Sequence, residues 1–318
     1  MAQSPALTAA APPTVPPPPA PAGLRLWWEA SRPFSFTASV VPVVIGTLIA
    51  AEGVFSWWKA LLALVGAVAI HAGTNFVNDY FDHTKGADSA ESLGPAGFIQ
   101  RGFVPPRAVL AAGLLSFAAG AALGLVLCAA TEWSLLWLGL ASVLAGFLYT
   151  GAPVHLAYIA LGELTVFVFM GPVIVLGAYF VQTESWDWEP VVASLPIAFL
   201  VTAILHANNL RDIESDRRVG KRTLATIIGR KWANVEMYAL LAGAYVSLVV
   251  AVAVGAMAWP AIVALITLPL VRPIVKIVRA GGNPKKLNFA LFLSAQLHMR
   301  FGAVLAAGLA LGVVLART

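Results

Sequence analysis

The sequence predicts an all-α, polytopic membrane protein: a bundle of about nine transmembrane helices with short cytoplasmic cap helices. Three observations predict it. Hydrophobic residues make up 59% of the 318 residues and charged residues only 11%, against roughly 25% charged in a soluble domain. Mean hydropathy is +0.83. Apolar stretches of about 20 residues, the length that crosses a bilayer, recur along the chain, separated by Gly-, Pro- and charge-bearing connections.

Residues 1–24 are rich in Ala and Pro and carry no charged side chain. Pro16–Pro19 excludes helix, so an extended, disordered tail is expected. It lacks the charged and apolar regions of a signal peptide. Residues 25–318 then form one membrane domain, with helices expected at 35–52, 60–78, 108–130, 135–152, 158–181, 191–209, 237–256, 261–279 and 289–315. Gly120-xxx-Gly124 and Gly308-xxx-Gly312 permit close helix contact. The single cysteine, Cys128, excludes an intrachain disulfide framework and reads as an inert residue of an apolar segment.

Orientation follows from the basic residues. With the N-terminus cytoplasmic, sixteen of the twenty lysines and arginines fall on the cytoplasmic side. Lys59 and Arg317 fall opposite, and Arg272 and Arg300 lie within spans. This positive-inside bias accounts for the net charge of +5 without nucleic-acid binding, and a multi-pass location in the plasma membrane is expected. An intramembrane ionisable group is a functional hypothesis by default, but Arg272 and Arg300 stand apart from the acidic motifs and receive no catalytic role. His71, His206 and His298 read as satisfied structural histidines. Arg217, Arg218, Arg230 and Lys231 read as anchors to anionic headgroups.

Two acidic clusters stand out against this background. Asn75, Asp79 and Asp82 recur at i, i+4, i+7, and Asn208, Asp212 and Asp216 at i, i+4, i+8. Each set occupies one helix face, at the cytoplasmic end of a span. The loops that follow, 79–107 and 210–236, are the longest and are expected to cap the site. A carboxylate inside a span costs roughly 2.5–3.5 kcal/mol, so two such stripes require a reason. Mg2+ supplies one, since it takes oxygen ligands and is held by one or two carboxylates plus substrate phosphates. Asp79 and Asp82 can hold one ion and Asp212 and Asp216 another, with a diphosphate between them. Asn75, Asn78, Asn208 and Asn209 can orient the carboxylates or donate to phosphate oxygens. Lys85, Arg101, Arg211, Lys221 and Arg222 supply positive charge for a departing diphosphate. If the diphosphate is esterified to an allylic chain, its departure leaves a cation that an electron-rich ring attacks. Tyr80, Phe81, Phe147, Tyr149 and Phe169 are candidate aromatic faces for it. Glu163, one turn into a span, is a candidate for pairing with a basic residue or touching the acceptor.

Asn78-Asp79-x-x-Asp82 resembles the first aspartate motif of the UbiA-type intramembrane aromatic prenyltransferases, and Asp212-x-x-x-Asp216 resembles the second. Ser31-Arg32-Pro33, Lys85-Gly86-Ala87-Asp88, Ser92-Leu93-Gly94-Pro95, Gln100-Arg101-Gly102, Gly162-Glu163-Leu164 and Gly220-Lys221-Arg222-Thr223-Leu224-Ala225 extend the resemblance over about residues 25–315. It is closest to the family's naphthoate branch, from the distance between Asp82 and Asp88. The resemblance implies a nine-helix bundle and Mg2+-assisted ionisation of a polyprenyl diphosphate. Attack by 1,4-dihydroxy-2-naphthoate with loss of CO2 would give a demethylmenaquinone-type product. It also implies Asn78, Asp79, Asp82, Asp212 and Asp216 as metal–diphosphate residues and Lys85, Arg211 and Lys221 as diphosphate contacts. Gly97 and Phe98 stand where some relatives carry an arginine. The implied partners are the two substrates and the bilayer, with no obligate protein partner. The alternatives are another acceptor, 4-hydroxybenzoate or homogentisate, and a secondary transporter, which the placement of both clusters on one side disfavours.

Overall fold

The computed structural model describes residues 23–87 and 97–318. The tail through residue 22, Asp88 and Ser92–Pro95 lie outside the described residues. Eleven α-helices follow in order: α1 (Gly23–Ala30), α2 (Thr37–Ala50), α3 (Trp57–Thr84), α4 (Pro106–Ala130), α5 (Leu135–Leu148), α6 (Gly162–Val168), α7 (Ile174–Thr183), α8 (Glu189–Arg218), α9 (Leu224–Ala253), α10 (Val271–Ala280) and α11 (Pro284–Arg317). Helices α6 and α7 are one span, widened at Phe169–Val173 into a π turn. Pro172 lies in that turn and lacks the N–H that regular winding would use. Winding over Trp259–Leu270 is 3₁₀ and continues into α10 as another span. Among the described residues, eight helices are long and apolar enough to cross a membrane. Helix α5, at 14 residues, is about 21 Å long and falls short of the roughly 30 Å hydrocarbon core.

Helices α3 and α8 run on to Thr84 and Arg218, beyond the expected span limits of 78 and 209. Both acidic motifs therefore lie on the last turns of rigid helices rather than at the start of loops. Outside the expected spans lie α1 and the first turn of α9. Gly229, at φ 74° and ψ 164°, breaks α9 after Ile228; a residue with a Cβ adopts that backbone poorly. Helix α1 opens inside the expected tail, two residues before position 25. Its Trp27 packs edge-on against Phe76 with ring centroids 6.1 Å apart, and Ala30 joins Ile99, Val104 and Val109 in a small apolar cluster.

The bundle has a solid half and a hollow half. Helices α8, α9 and α11 and the 259–280 span close around a continuous core that includes Ile197, Met237, Leu248, Ile274 and Phe301. Gly308 and Gly312 let α11 approach Pro260 and Ala258, where an added Cβ would come within 2.6 and 2.4 Å. On the other side, α2–α8 surround a cavity of about 870 Å³. There Gly120 meets α3 closely, but Gly124 has open space beside it and lines the cavity. His71 bonds Ser39 and Ser35, and His298 bonds Thr37, tying α2 to α3 and α11.

Candidate active site

Both acidic stripes reach one end of this cavity. Asn75, Asn78 and Asp82 line it from α3, and Asn208, Asp212 and Asp216 line it from α8. Asp82 and Asp216 are buried, and the charges of Asp82, Asp212, Lys221 and Arg211 all bear on Asp216. The Oδ2 atom of Asp216 is buried without a hydrogen bond.

Tyr158 connects the two stripes. Its hydroxyl donates to Asp82 Oδ1 at 2.7 Å, and its ring lies 4.1 Å from Lys85 Nζ and 5.1 Å from Lys221 Nζ. Lys221 Nζ is 3.9 Å from Asp216 Oδ1. Backbone bonds explain why the two loops meet: Ala160 N–H donates to the Arg222 carbonyl at 2.7 Å, and Arg222 N–H donates to the Tyr158 carbonyl at 3.3 Å. Lys85, just beyond α3, has its pKa lowered, first by burial and further by Lys221, with Asp82 opposing. Its Nζ also donates to the Thr150 carbonyl at 3.3 Å.

The remaining predicted residues divide. Arg211 grips Asp212 through Nε and Nη2 at 2.7 and 2.5 Å, and also donates to Asn208 at 2.8 Å and to Asn288 of α11 at 2.6 Å. With its side chain only 4% exposed, Arg211 holds the carboxylate in place. Asp79 is ion-paired with Arg32 and stays behind it, off the cavity lining. Asn75 donates to the Ser31 carbonyl and Ser35 hydroxyl at 2.9 and 3.1 Å, pinning the corner that carries Arg32. Asn209 turns away from the stripe and donates to Glu163 at 2.7 Å. Glu163 pairs with His206 rather than with a lysine or arginine, and it does not line the cavity.

Three expectations are corrected. Arg101 is exposed on the turn before α4 and does not reach the cavity, because its backbone closes back on Gly97. Arg222 is exposed and contributes its main chain. Arg230 does not extend into headgroups; the kink at Gly229 turns it toward α8, where it donates to the Leu210 carbonyl at 3.2 Å and lines the cavity. Of the aromatic candidates, Tyr149 and Phe169 line the cavity, whereas Tyr80, Phe81 and Phe147 pack against one another.

Sequence reasoning missed Tyr158, Asn288 and the role of Arg32. None of them has a periodic signal, and Tyr158 was expected to open a span rather than sit in the connection before α6. Arg32 is visible in the sequence only as part of Ser31-Arg32-Pro33, which carries no site role by itself.

From the acidic end the cavity continues between apolar walls. On α3 it extends from Asp82 to Leu62, 20 residues of helix or about 30 Å. Residues 39–296 match the UbiA prenyltransferase family. The chain belongs to that family. It is 36% identical over 286 residues to the 1,4-dihydroxy-2-naphthoate octaprenyltransferase of Bacillus subtilis, covering 90% of this chain and 92% of that one. It is 38% identical over 267 residues to the protein of the same name from Mycobacterium tuberculosis, covering 84% and 90%. Its fold is similar to that of a UbiA homolog from Archaeoglobus fulgidus bound to DMAPP and Mg2+, at TM-score 0.56 and 15% identity, covering 92% and 99%. It is thus a multi-pass membrane prenyltransferase.

Proposed function

We propose that this UbiA-family enzyme transfers a polyprenyl group from a polyprenyl diphosphate to 1,4-dihydroxy-2-naphthoate. Diphosphate and CO2 leave, and a demethylmenaquinone-type product forms. The observation that carries the reading is one continuous cavity, about 30 Å long on α3, acidic and cationic at one end and walled mainly by apolar residues at the other. A diphosphate headgroup and an isoprenoid tail have that same division. The names of the two bacterial relatives support the naphthoate acceptor.

The donor set fits Mg2+. Asp82, Asp212 and Asp216 offer carboxylate oxygens around the cavity's polar end, and Asp216 Oδ2 is buried without a hydrogen bond. When bound, Mg2+ neutralises the diphosphate and stabilises it as a leaving group. Tyr158 and Arg211 hold Asp82 and Asp212 in fixed orientations. Lys221 and Lys85 stand beside them to offset the negative charge that develops as the C–O bond breaks and its electron pair leaves with the diphosphate. Tyr149 and Phe169 exclude water from the allylic cation. The ring carbon that bears the carboxylate attacks the cation, and the carboxylate departs as CO2. In this reading residues 25–318 are the transferase domain, and the positive-inside bias puts its polar end at the cytoplasmic face.

A Mg2+-dependent assay with labelled polyprenyl diphosphate and three acceptors tests the reading. Transfer to dihydroxynaphthoate is expected; transfer to 4-hydroxybenzoate or homogentisate instead rejects the acceptor but retains the enzyme class. Asp82→Asn is expected to lose turnover while remaining folded, and an active variant removes Asp82 from the metal set.

A further inference from the structure

Behind the second acidic motif, three side chains from three helices meet in the interior. Glu163 of α6, His206 of α8 and Glu236 of α9 bring ligand atoms within 4.8 Å of one another. Glu163 is 5% exposed and His206 fully buried. His206 Nε2 lies 2.7 Å from the Ala233 carbonyl oxygen; that oxygen only accepts, so Nε2 carries the proton. Nδ1 therefore faces the carboxylates, 3.4 Å from Glu163 Oε1 and 3.5 Å from Glu236 Oε2.

Those separations are long for charge-assisted hydrogen bonds, which run about 2.7–2.9 Å. They match another geometry. Ligands bound at about 2.0–2.2 Å to one tetrahedral ion stand roughly 3.4 Å from each other. Independently, Glu163 Oε2 and Glu236 Oε2 are both buried with no hydrogen-bond partner, an expensive state for carboxylate oxygens. The surroundings are those of a metal site too. A metal-binding histidine donates its second N–H to a carbonyl or carboxylate, and ligating carboxylates are themselves hydrogen-bonded. Here Ala233 and Asn209 supply those contacts.

We propose that Glu163, His206 and Glu236 form a second divalent-metal site, distinct from the diphosphate pocket and suited to Zn2+. Imidazole nitrogen with carboxylate oxygens favours a first-row transition ion over Mg2+. The ion would join α6, α8 and α9, with its histidine two residues before Asn208 and six before Asp212 on α8, so its role is structural. It stands independently of the identity of the prenyl acceptor.

Metal analysis of the full-length chain, purified in detergent and washed with excess Mg2+, tests this. One equivalent of Zn2+ is expected to remain, to be lost from Glu236→Gln and His206→Gln, and to persist in Asp82→Asn. Substitution with Co2+ is expected to give the strong visible absorption of a tetrahedral ion, absent from Glu236→Gln. Glu236 is the half-buried member, so its isosteric replacement separates metal loss from misfolding, which circular dichroism checks. Should His206→Gln fail to fold, the wild-type Co2+ spectrum still decides. No Zn2+ or Co2+ bound by the folded wild type, weakly absorbing octahedral Co2+, or metal lost from Asp82→Asn but kept by Glu236→Gln each overturns the proposal.

Discussion

The hydroxyl of Tyr158 donates a 2.7 Å hydrogen bond to Asp82 Oδ1, joining the connection before α6 to the end of α3. The bond fixes which carboxylate oxygen remains to face the cavity. Partners of this kind are typically worth 10–100-fold in metal affinity or activity. Tyr158→Phe keeps the ring beneath Lys85 and Lys221 and removes only the donor. It is expected to lower kcat by about 10–100-fold and to raise the Mg2+ concentration needed for half-maximal rate. Titration of rate against Mg2+ checks this, and an unchanged titration would show that Asp82 is positioned without Tyr158.

Arg32 and Asp79 make a second prediction. Arg32 has φ 60° and ψ 58°, a left-handed conformation that costs roughly 1–2 kcal/mol for a residue with a Cβ, and it precedes Pro33. The ion pair to Asp79, with Asn75 bound to Ser31 and Ser35 bound to the Arg32 carbonyl, holds the corner there. If Asp79 serves in the metal set, Arg32 must yield it. Arg32→Ala is then expected to strengthen Mg2+ binding while loosening the α1–α2 corner, read as a lower Tm. Asp79→Asn is expected to lower Tm as well but to weaken Mg2+ binding. Opposite Mg2+ responses from the two variants are the signature; parallel responses would leave Asp79 with a purely structural role.

These two cases show why some of the site could be read from the chain and some could not. Asp82, Asp212 and Asp216 share helical spacing, and a single helix face carries that information in one dimension. The apolar spans were readable for the same reason, but their ends were not: α8 runs to Arg218 and α9 opens at Leu224, against expected limits of 209 and 237. Tyr158 reaches Asp82 from a connection whose main chain bonds that of Arg222, a contact between loops with no periodicity. Asn209 looked equivalent to Asn208, yet adjacent helical positions point about 100° apart, and only the packing of α6 shows that one faces Glu163. Arg101 looked like a site cation because charge is visible in sequence and direction in a turn is not.

Lys85 predicts a pH dependence. Burial lowers its pKa from the ordinary lysine value, and Lys221 adds to this against the attraction of Asp82. As pH rises the ammonium is therefore lost earlier than in a free lysine, and in the proposed reaction one positive charge near Asp82 goes with it. The rate is expected to fall on the alkaline side before ordinary lysines titrate. Lys85→Arg, whose guanidinium stays charged, is expected to move that limb to higher pH. The pH profile of kcat/KM for the two proteins decides; coincident alkaline limbs would assign the fall to another group.

The apolar wall makes the last prediction, about chain length. Gly124 on α4 and Gly139 on α5 both line the cavity, and an added Cβ at either meets nothing within 4 Å. Both lie away from the acidic end, where the far part of an isoprenoid tail would run. Neighbouring Gly120 and Gly146 differ, since a Cβ there would come within 2.6 Å of Ile70 and 2.5 Å of Thr74. Gly124→Leu and Gly139→Leu should therefore fill the channel without disturbing helix packing, and helix propensity favours them by about 1 kcal/mol. The expected outcome is an unchanged or raised Tm, unchanged turnover of short prenyl diphosphates and a several-fold loss with long ones, read by product mass from a mixture of donors. Gly120→Leu should instead lower Tm through the α3–α4 contact. Equal losses with short and long donors in the Gly124 and Gly139 variants would mean that the tail does not follow this wall.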